Sequence, residues 1–316
     1  MDPGSFFASS RVLIVAGKGG VGKTTAAATY ATAASRIGHS VLLVEVAGKS
    51  AAAPMFEADH RGYEQTVLTD AADGIGEIRT QSLTPDDALI EWLGENGFGR
   101  IAKRMARTGI LEVVATATPG IKDILVLGKI KQLEVSAAAD VIVVDAPAAG
   151  QAIGFLQSPV AVLETARTGV INRLGREVAE MVQVGDRCRV SLVTLPEETP
   201  VNELIETSFA LEDEVGLTLA PVIVNSVLPL IPDLVPVPTR TARGISSAEL
   251  GDLTAAATLR HERQEMQQDQ IARLSGELPL PRIELPQMFG THLRRAELDQ
   301  LADALLAGIG SLKEPS

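Results

Sequence analysis

Residues 11–24 read Arg11-Val12-Leu13-Ile14-Val15-Ala16-Gly17-Lys18-Gly19-Gly20-Val21-Gly22-Lys23-Thr24, and this stretch decides the fold. The apolar run 11–16 predicts a buried strand. Gly17 to Thr24 match the pattern GxxxxGK[ST], and the Ala-rich segment that follows predicts a helix closed by Gly38. In the order strand, glycine loop, helix, successive backbone N–H groups can curl around phosphate oxygens while the helix N-terminus adds its positive dipole end. Lys23 would then reach β- and γ-phosphates, and the Thr24 hydroxyl would meet Mg²⁺. The candidate nucleotide-binding residues here are Gly17, Lys18, Gly19, Gly20, Val21, Gly22, Lys23, Thr24 and Thr25. The competing reading is a glycine-rich strand–helix turn that holds no ligand.

Outward from this loop, residues 41–46, 141–145, 190–195 and 221–225 are further apolar runs, with helical segments between them. Alternation of this kind predicts an α/β fold with a doubly wound, mostly parallel sheet. Residues 85–135 interrupt the rhythm with helix-like pieces and predict a helical subdomain within the same domain. Four prolines at 229–238 (Pro229, Pro232, Pro236, Pro238) predict an extended loop, 247–274 a long polar helix, and 291–307 a final helix. Residues 1–10 are expected to be a flexible N-terminus, and 11–316 a single domain.

The chain has 316 residues, 46 % hydrophobic but only 3 % aromatic, so its core must be built from Ala, Val, Leu and Ile. With 28 Lys and Arg against 40 Asp and Glu, the net charge of −12 argues against a nucleic-acid partner, which needs a basic surface. The lone Cys188 cannot form an internal disulfide or a CxxC metal site. No apolar run of about 18 residues predicts a membrane span, and the start lacks a secretory signal, so a cytoplasmic protein is expected.

Asp145 ends the run Val141-Ile142-Val143-Val144, where a carboxylate can orient the water of a bound Mg²⁺. Capping of the next turn is the alternative role. Lys18 is a second lysine that the loop's own phosphates do not require. With it, Lys18 to Thr24 resemble the deviant phosphate loop KGGVGKT of dimeric ATPases. Asp145-Ala146-Pro147-Ala148-Ala149-Gly150-Gln151, with Phe155 to Pro159, resembles the DTAPTGH…LLQLP stretch of the arsenical-pump ATPase (ArsA) family. That family includes the ATPases that deliver tail-anchored membrane proteins. Pro119 to Lys122, Val224-Asn225 with Pro229, and Leu278 to Pro281 with Leu285-Pro286 carry the similarity through most of the chain.

The resemblance implies a P-loop ATPase with ATP and Mg²⁺ at a dimer interface, in a homodimer or a heterodimer with a paralogue. Lys18 would act on the facing subunit's nucleotide, Lys23 and Asp145 would serve catalysis, and Thr24 and Asp145 would hold the metal. Asn225 would bond the adenine, with the backbone at Leu285 and Pro286 on its other side. Residues 145–151 would link the γ-phosphate to the helical region. A hydrophobic membrane-protein segment is the implied cargo, with Ile101, Met105, Ile110, Leu111, Val113, Val114, Ile121, Ile124, Leu125 and Leu127 as groove candidates; packing of the chain's own core is the competing reading. The last helix, with Leu293, Leu298, Leu301 and Leu305, is either a membrane-binding segment or core, and its acidic polar face favours core.

The sequence also departs from the family. Where relatives carry the aspartate that positions the attacking water, this chain has Ala47, followed by Gly48 and Lys49. Gln151 and Ala148 replace a His and a Thr. Glu45, on the same strand face as position 47, is the candidate substitute. Two activities therefore stay open: a slow or partner-activated ATPase, and an ATP-holding regulatory subunit that pairs with an active paralogue. The absent cysteines argue against metalloid pumping, and the net charge against a partition or septum-positioning role.

Overall fold

The run at 12–16 forms the fourth strand from one edge of an eight-stranded sheet in the computed structural model, which describes residues 1–46, 50–59, 62–98, 120–147, 149–231, 244–290 and 292–313. The strands are β1 (Val12–Gly17), β2 (Val41–Val46), β3 (Thr66–Thr69), β4 (Ile78–Leu83), β5 (Val141–Asp145), β6 (Cys188–Thr194), β7 (Val222–Val227) and β8 (Arg282–Pro286). Their order is β3-β4-β2-β5-β1-β6-β7-β8, and only β3 runs antiparallel to its neighbour. Counted from β8, β1 is therefore fourth among parallel strands, flanked by β5 and β6.

Alternate residues divide between the two faces, as the pleat requires. Val12, Ile14 and Ala16 pack with Val44 and Val144 on one side, whereas Leu13 and Val15 pack with Leu43 and Val143 on the other. The second face is covered by α1 (Pro3–Ala8), α2 (Lys23–Arg36) and α9 (Arg295–Ser311). Every residue of α2 from Ala26 to Ser35 is buried, and its small side chains let it lie close between the sheet and α9. The first face carries α3 (Pro85–Leu93), α4 (Ile121–Val135), α5 (Ala149–Thr165), α6 (Val170–Gln183), α7 (Glu198–Ala210) and the long α8 (Ser247–Glu277).

Two expectations change, for the N-terminus and for the strand count. Residues 1–10 are not a loose leader. Asp2 caps α1 through a bond from the Ser5 amide, and Phe6 and Phe7 are buried against Tyr30, with ring centroids 6.3 and 6.4 Å away. Strands β3, β4 and β8 were not expected. β4 buries Thr80, Gln81 and Ser82 together with Ile78 and Leu83, so it has no apolar run to announce it. Of the groove candidates, Ile124, Leu125 and Leu127 lie in the core beside the sheet and Ile121 packs against it. Ile101, Met105, Ile110, Leu111, Val113 and Val114 fall outside the described residues. On α9, Leu298, Leu301 and Leu305 face α2 and are buried, so they present no surface to a membrane. Among the described residues no helix is long and apolar enough to cross one.

Candidate nucleotide site

β1 delivers the chain to the sheet's carboxyl edge at Gly17, whose φ of 154° and close packing suit no larger residue. A Cβ there would lie 2.4 Å from the Val193 carbonyl oxygen. The chain then turns through Gly20 and Gly22 at φ of 87° and 88°, conformations that glycine adopts without steric cost. Gly22 is the N-cap of α2 and lends it no side-chain bond, and the first turn of that helix carries no acidic residue, so no carboxylate from that turn competes for a ligand there.

Around this turn the side chains converge. Lys23 Nζ donates to the carbonyl oxygen of Lys18 at 2.8 Å, bridging the loop. Thr24 Oγ1 donates to Asp145 Oδ2 at 2.5 Å, joining the start of α2 to the end of β5. Asn225, two residues before the end of β7, donates through Nδ2 to the Val21 carbonyl at 3.0 Å. The Val21 side chain itself is buried in the core. Lys18 forms a salt bridge with Glu203 of α7 in its own chain, and both side chains are 39 % exposed.

Beside the loop opens a cleft of about 1010 Å³ lined by Gly20, Gly22, Thr25, Asn225 and Pro286, with Gln267 of α8 on the far wall. Gln267 holds that wall in place: its Oε1 accepts from the Leu228 amide at 2.8 Å and its Nε2 donates to the Ser226 carbonyl at 3.3 Å. Leu285 points into the core, so Pro286 alone of that pair faces the cleft.

Glu45 sits beside Asp145 in register on adjacent strands and is 1 % exposed. Its Oε1 accepts from the amides of Ala51 at 2.7 Å and Ala52 at 3.0 Å, and Oε2 is 3.4 Å from the Thr80 hydroxyl. Burial pushes its carboxyl above the ordinary carboxylate range, against the pull of the two amides, and the negative Asp145 adds to the rise.

The structure thus brings together Lys18, Lys23, Thr24, Asp145 and Asn225 at one edge of the sheet, with Glu45 next to them. Ala47, Gly48, Lys49 and Ala148 lie outside the described residues. Glu203 and Gln267 were not found from sequence, since neither belongs to a recognisable pattern. Among the described residues no three His, Cys, Asp or Glu side chains gather as a metal cluster. A hydroxyl and one carboxylate at 2.5 Å do suit a hard cation such as Mg²⁺, which keeps most of its waters and takes few protein ligands. Cys188 is buried, with its thiol pushed up to about 12 by burial first and by Glu134 second.

Residues 10–184, more than half of the chain, match the family model described as anion-transporting ATPase. The chain belongs to that family. ATPase BagA of Mycobacterium tuberculosis is 31 % identical over 300 residues, covering 87 % of each chain. A putative arsenical pump-driving ATPase of Halobacterium salinarum is 27 % identical over 237 residues, 70 % of this chain and 36 % of that protein. ATPase GET3 of Chaetomium globosum is 27 % identical over 201 residues, 63 % of this chain and 56 % of that protein. β1, the loop and α2 lie wholly within the matched span. Asn225, Gln267 and Pro286 lie beyond it but within one molecule with it, on the cleft that opens from the loop.

Proposed function

We propose that this member of the anion-transporting ATPases binds ATP with Mg²⁺ at residues 17–25 and hydrolyses it as a dimeric switch. The observation that carries the reading is the Thr24–Asp145 contact at 2.5 Å, next to Lys23 and the N-terminus of α2, where the N-cap Gly22 has no side chain. The loop amides and Lys23 bind the phosphates, Lys23 exchanging its bond to the Lys18 carbonyl for phosphate oxygens. Asn225 and Pro286 border the cleft that takes the adenosine end. Bound Mg²⁺, held by Thr24 and Asp145, would supply charge neutralisation at the β- and γ-phosphates. Asp145 leads within four residues into α5, which packs on α4 and α6, so a change at the phosphate end has a direct path to the helical face. Lys18 acts across the interface of a homodimer, or of a heterodimer with a paralogue.

Isothermal titration with Mg-ATP tests the binding reading, and phosphate release tests turnover. Heat from the wild type and at least a tenfold loss in Lys23→Ala is the expected result, since hydrogen bonds to charged groups carry about 1.5–3 kcal/mol. No heat from folded wild-type protein overturns it.

One observation favours a second reading, an ATP-holding regulatory subunit. Glu45 Oε1 is already engaged by two backbone amides, so it is poorly placed to replace the carboxylate missing at position 47. Single-turnover measurements with and without a paralogue separate the two. ATP binding without phosphate release in the isolated protein selects the regulatory subunit.

A further inference from the structure

A charged side chain at 1 % exposure needs a use, and Glu45 has a local one. The chain leaves the sheet at Val46 and returns at Ala51 and Ala52, whose amides both point at Glu45 Oε1. A single carboxylate oxygen thereby ties Ala51 and Ala52 to the end of β2. Ala52 also opens the 3₁₀ turn Ala53–Phe56, and Ala52, Ala53 and Phe56 are buried in the core under α2 and α9. Residues 51–56 are therefore fixed to the sheet at one end and to the core at the other. Thr80 of β4 supports the arrangement, with its hydroxyl on the Leu43 carbonyl at 3.1 Å and near Glu45 Oε2.

We propose that Glu45 is a positioning residue: its carboxylate staples Ala51 and Ala52 to the sheet beside Asp145, and it does not itself orient the attacking water. The proposal replaces the role of substitute water-orienting carboxylate that strand parity alone suggested. The role in turnover rests on the ATPase reading above, while the staple itself does not.

Two variants separate the functions of the group. Glu45→Gln keeps the volume and an amide oxygen that accepts two bonds, but removes the charge. Glu45→Met keeps the volume and removes both acceptors. Hydrogen exchange at the amides of Ala51 and Ala52, without nucleotide, reads the staple directly. Protection is expected in the wild type, exchange at least about tenfold faster in Glu45→Met, and rates within a few-fold of wild type in Glu45→Gln. Unprotected amides in the wild type overturn the staple, and this arm needs no variant to fold. Unchanged protection in Glu45→Met overturns it as well.

Phosphate release and Mg-ATP affinity then read the positioning role. The expected order of kcat is wild type, Glu45→Gln, Glu45→Met, with the last at least tenfold below the second and nucleotide Kd similar in all three. A Glu45→Gln variant that keeps protected amides but loses turnover as fully as Glu45→Met shows that the charge acts in the reaction, and the proposal fails. Wild-type protein that binds ATP without turnover fails the hydrolysis reading instead, and the exchange arm still decides the staple.

Discussion

Asn225 and Gly22 are built against each other: a Cβ on residue 22 would lie 2.2 Å from Asn225 Nδ2, the atom that donates to the Val21 carbonyl. Residue 22 must therefore be glycine for two independent reasons, the contact and its φ of 88°. Gly22→Ala is expected to cost about 1–2 kcal/mol from the left-handed backbone alone and to displace Asn225 from the loop. Thermal unfolding should report the loss of stability, and Mg-ATP titration at least a tenfold loss of affinity. Affinity equal to wild type would show that the loop tolerates the shift and that Asn225 is not needed there.

The Thr24–Asp145 contact predicts a specific dependence on the cation. Asp145→Asn preserves the shape and an acceptor for the Thr24 hydroxyl but removes the charge. Nucleotide affinity in this variant is expected to lose its response to added Mg²⁺. Phosphate release should fall about a hundredfold, the scale on which misplaced reacting groups slow catalysis. Titrations with and without Mg²⁺ check the first point and single-turnover kinetics the second.

Lys18 is held within its own chain by Glu203, and with both side chains 39 % exposed the pair contributes about 0–1 kcal/mol at most. Breaking it should leave stability almost untouched. Lys18→Ala is expected to keep ATP binding by one subunit while losing nucleotide-dependent assembly and at least tenfold in turnover. Glu203→Gln frees the lysine and should raise the dimer fraction at a given protein concentration. Sedimentation with Mg-ATP reads both, and unchanged behaviour in both variants would reduce Lys18 to a solvated surface lysine.

Removal of the Phe7 side chain should destabilise the protein by about 3 kcal/mol, as truncation of a buried phenylalanine does. Phe7 is 3 % exposed and meets Tyr30 edge-on, so the N-terminal turn is part of the core under α2. Denaturant unfolding of Phe7→Ala measures this, and a change below about 1 kcal/mol would place the segment outside the cooperative unit.

With its thiol pushed up to about 12 by burial, Cys188 should resist alkylation in the native protein at pH 8 and react fully, one group per chain, in denaturant. Mass spectrometry after iodoacetamide treatment distinguishes the two states.

The phosphate loop was legible because its chemistry demands particular residues at fixed spacing, and the strands at 41–46 and 141–145 because burial on both faces leaves an apolar run. β4 was not, because it buries hydroxyls and an amide that find partners only across the sheet, such as Thr80 on Leu43. Glu203 was invisible for a similar reason: its partner Lys18 is 185 residues away, and a single glutamate within a helix carries no signal. The helix at Pro3–Ala8 did leave one. Asp2 followed by Pro3 is an N-cap and first-turn pair, and two adjacent phenylalanines in a chain with only seven point inward. Similarity to other proteins supplied Asn225, but only the coordinates tie it to Val21 and Gly22.

The ten consecutive buried residues of α2 have a consequence for how the molecule breathes. A helix sealed on all sides can open only when the layers around it come apart, so its amides should be among the last to exchange. The phosphate loop is thus moored to the least yielding part of the protein. α8, by contrast, buries only Gln264, Ile271 and Leu274 along thirty-one residues, so its amides should exchange sooner than those of α2.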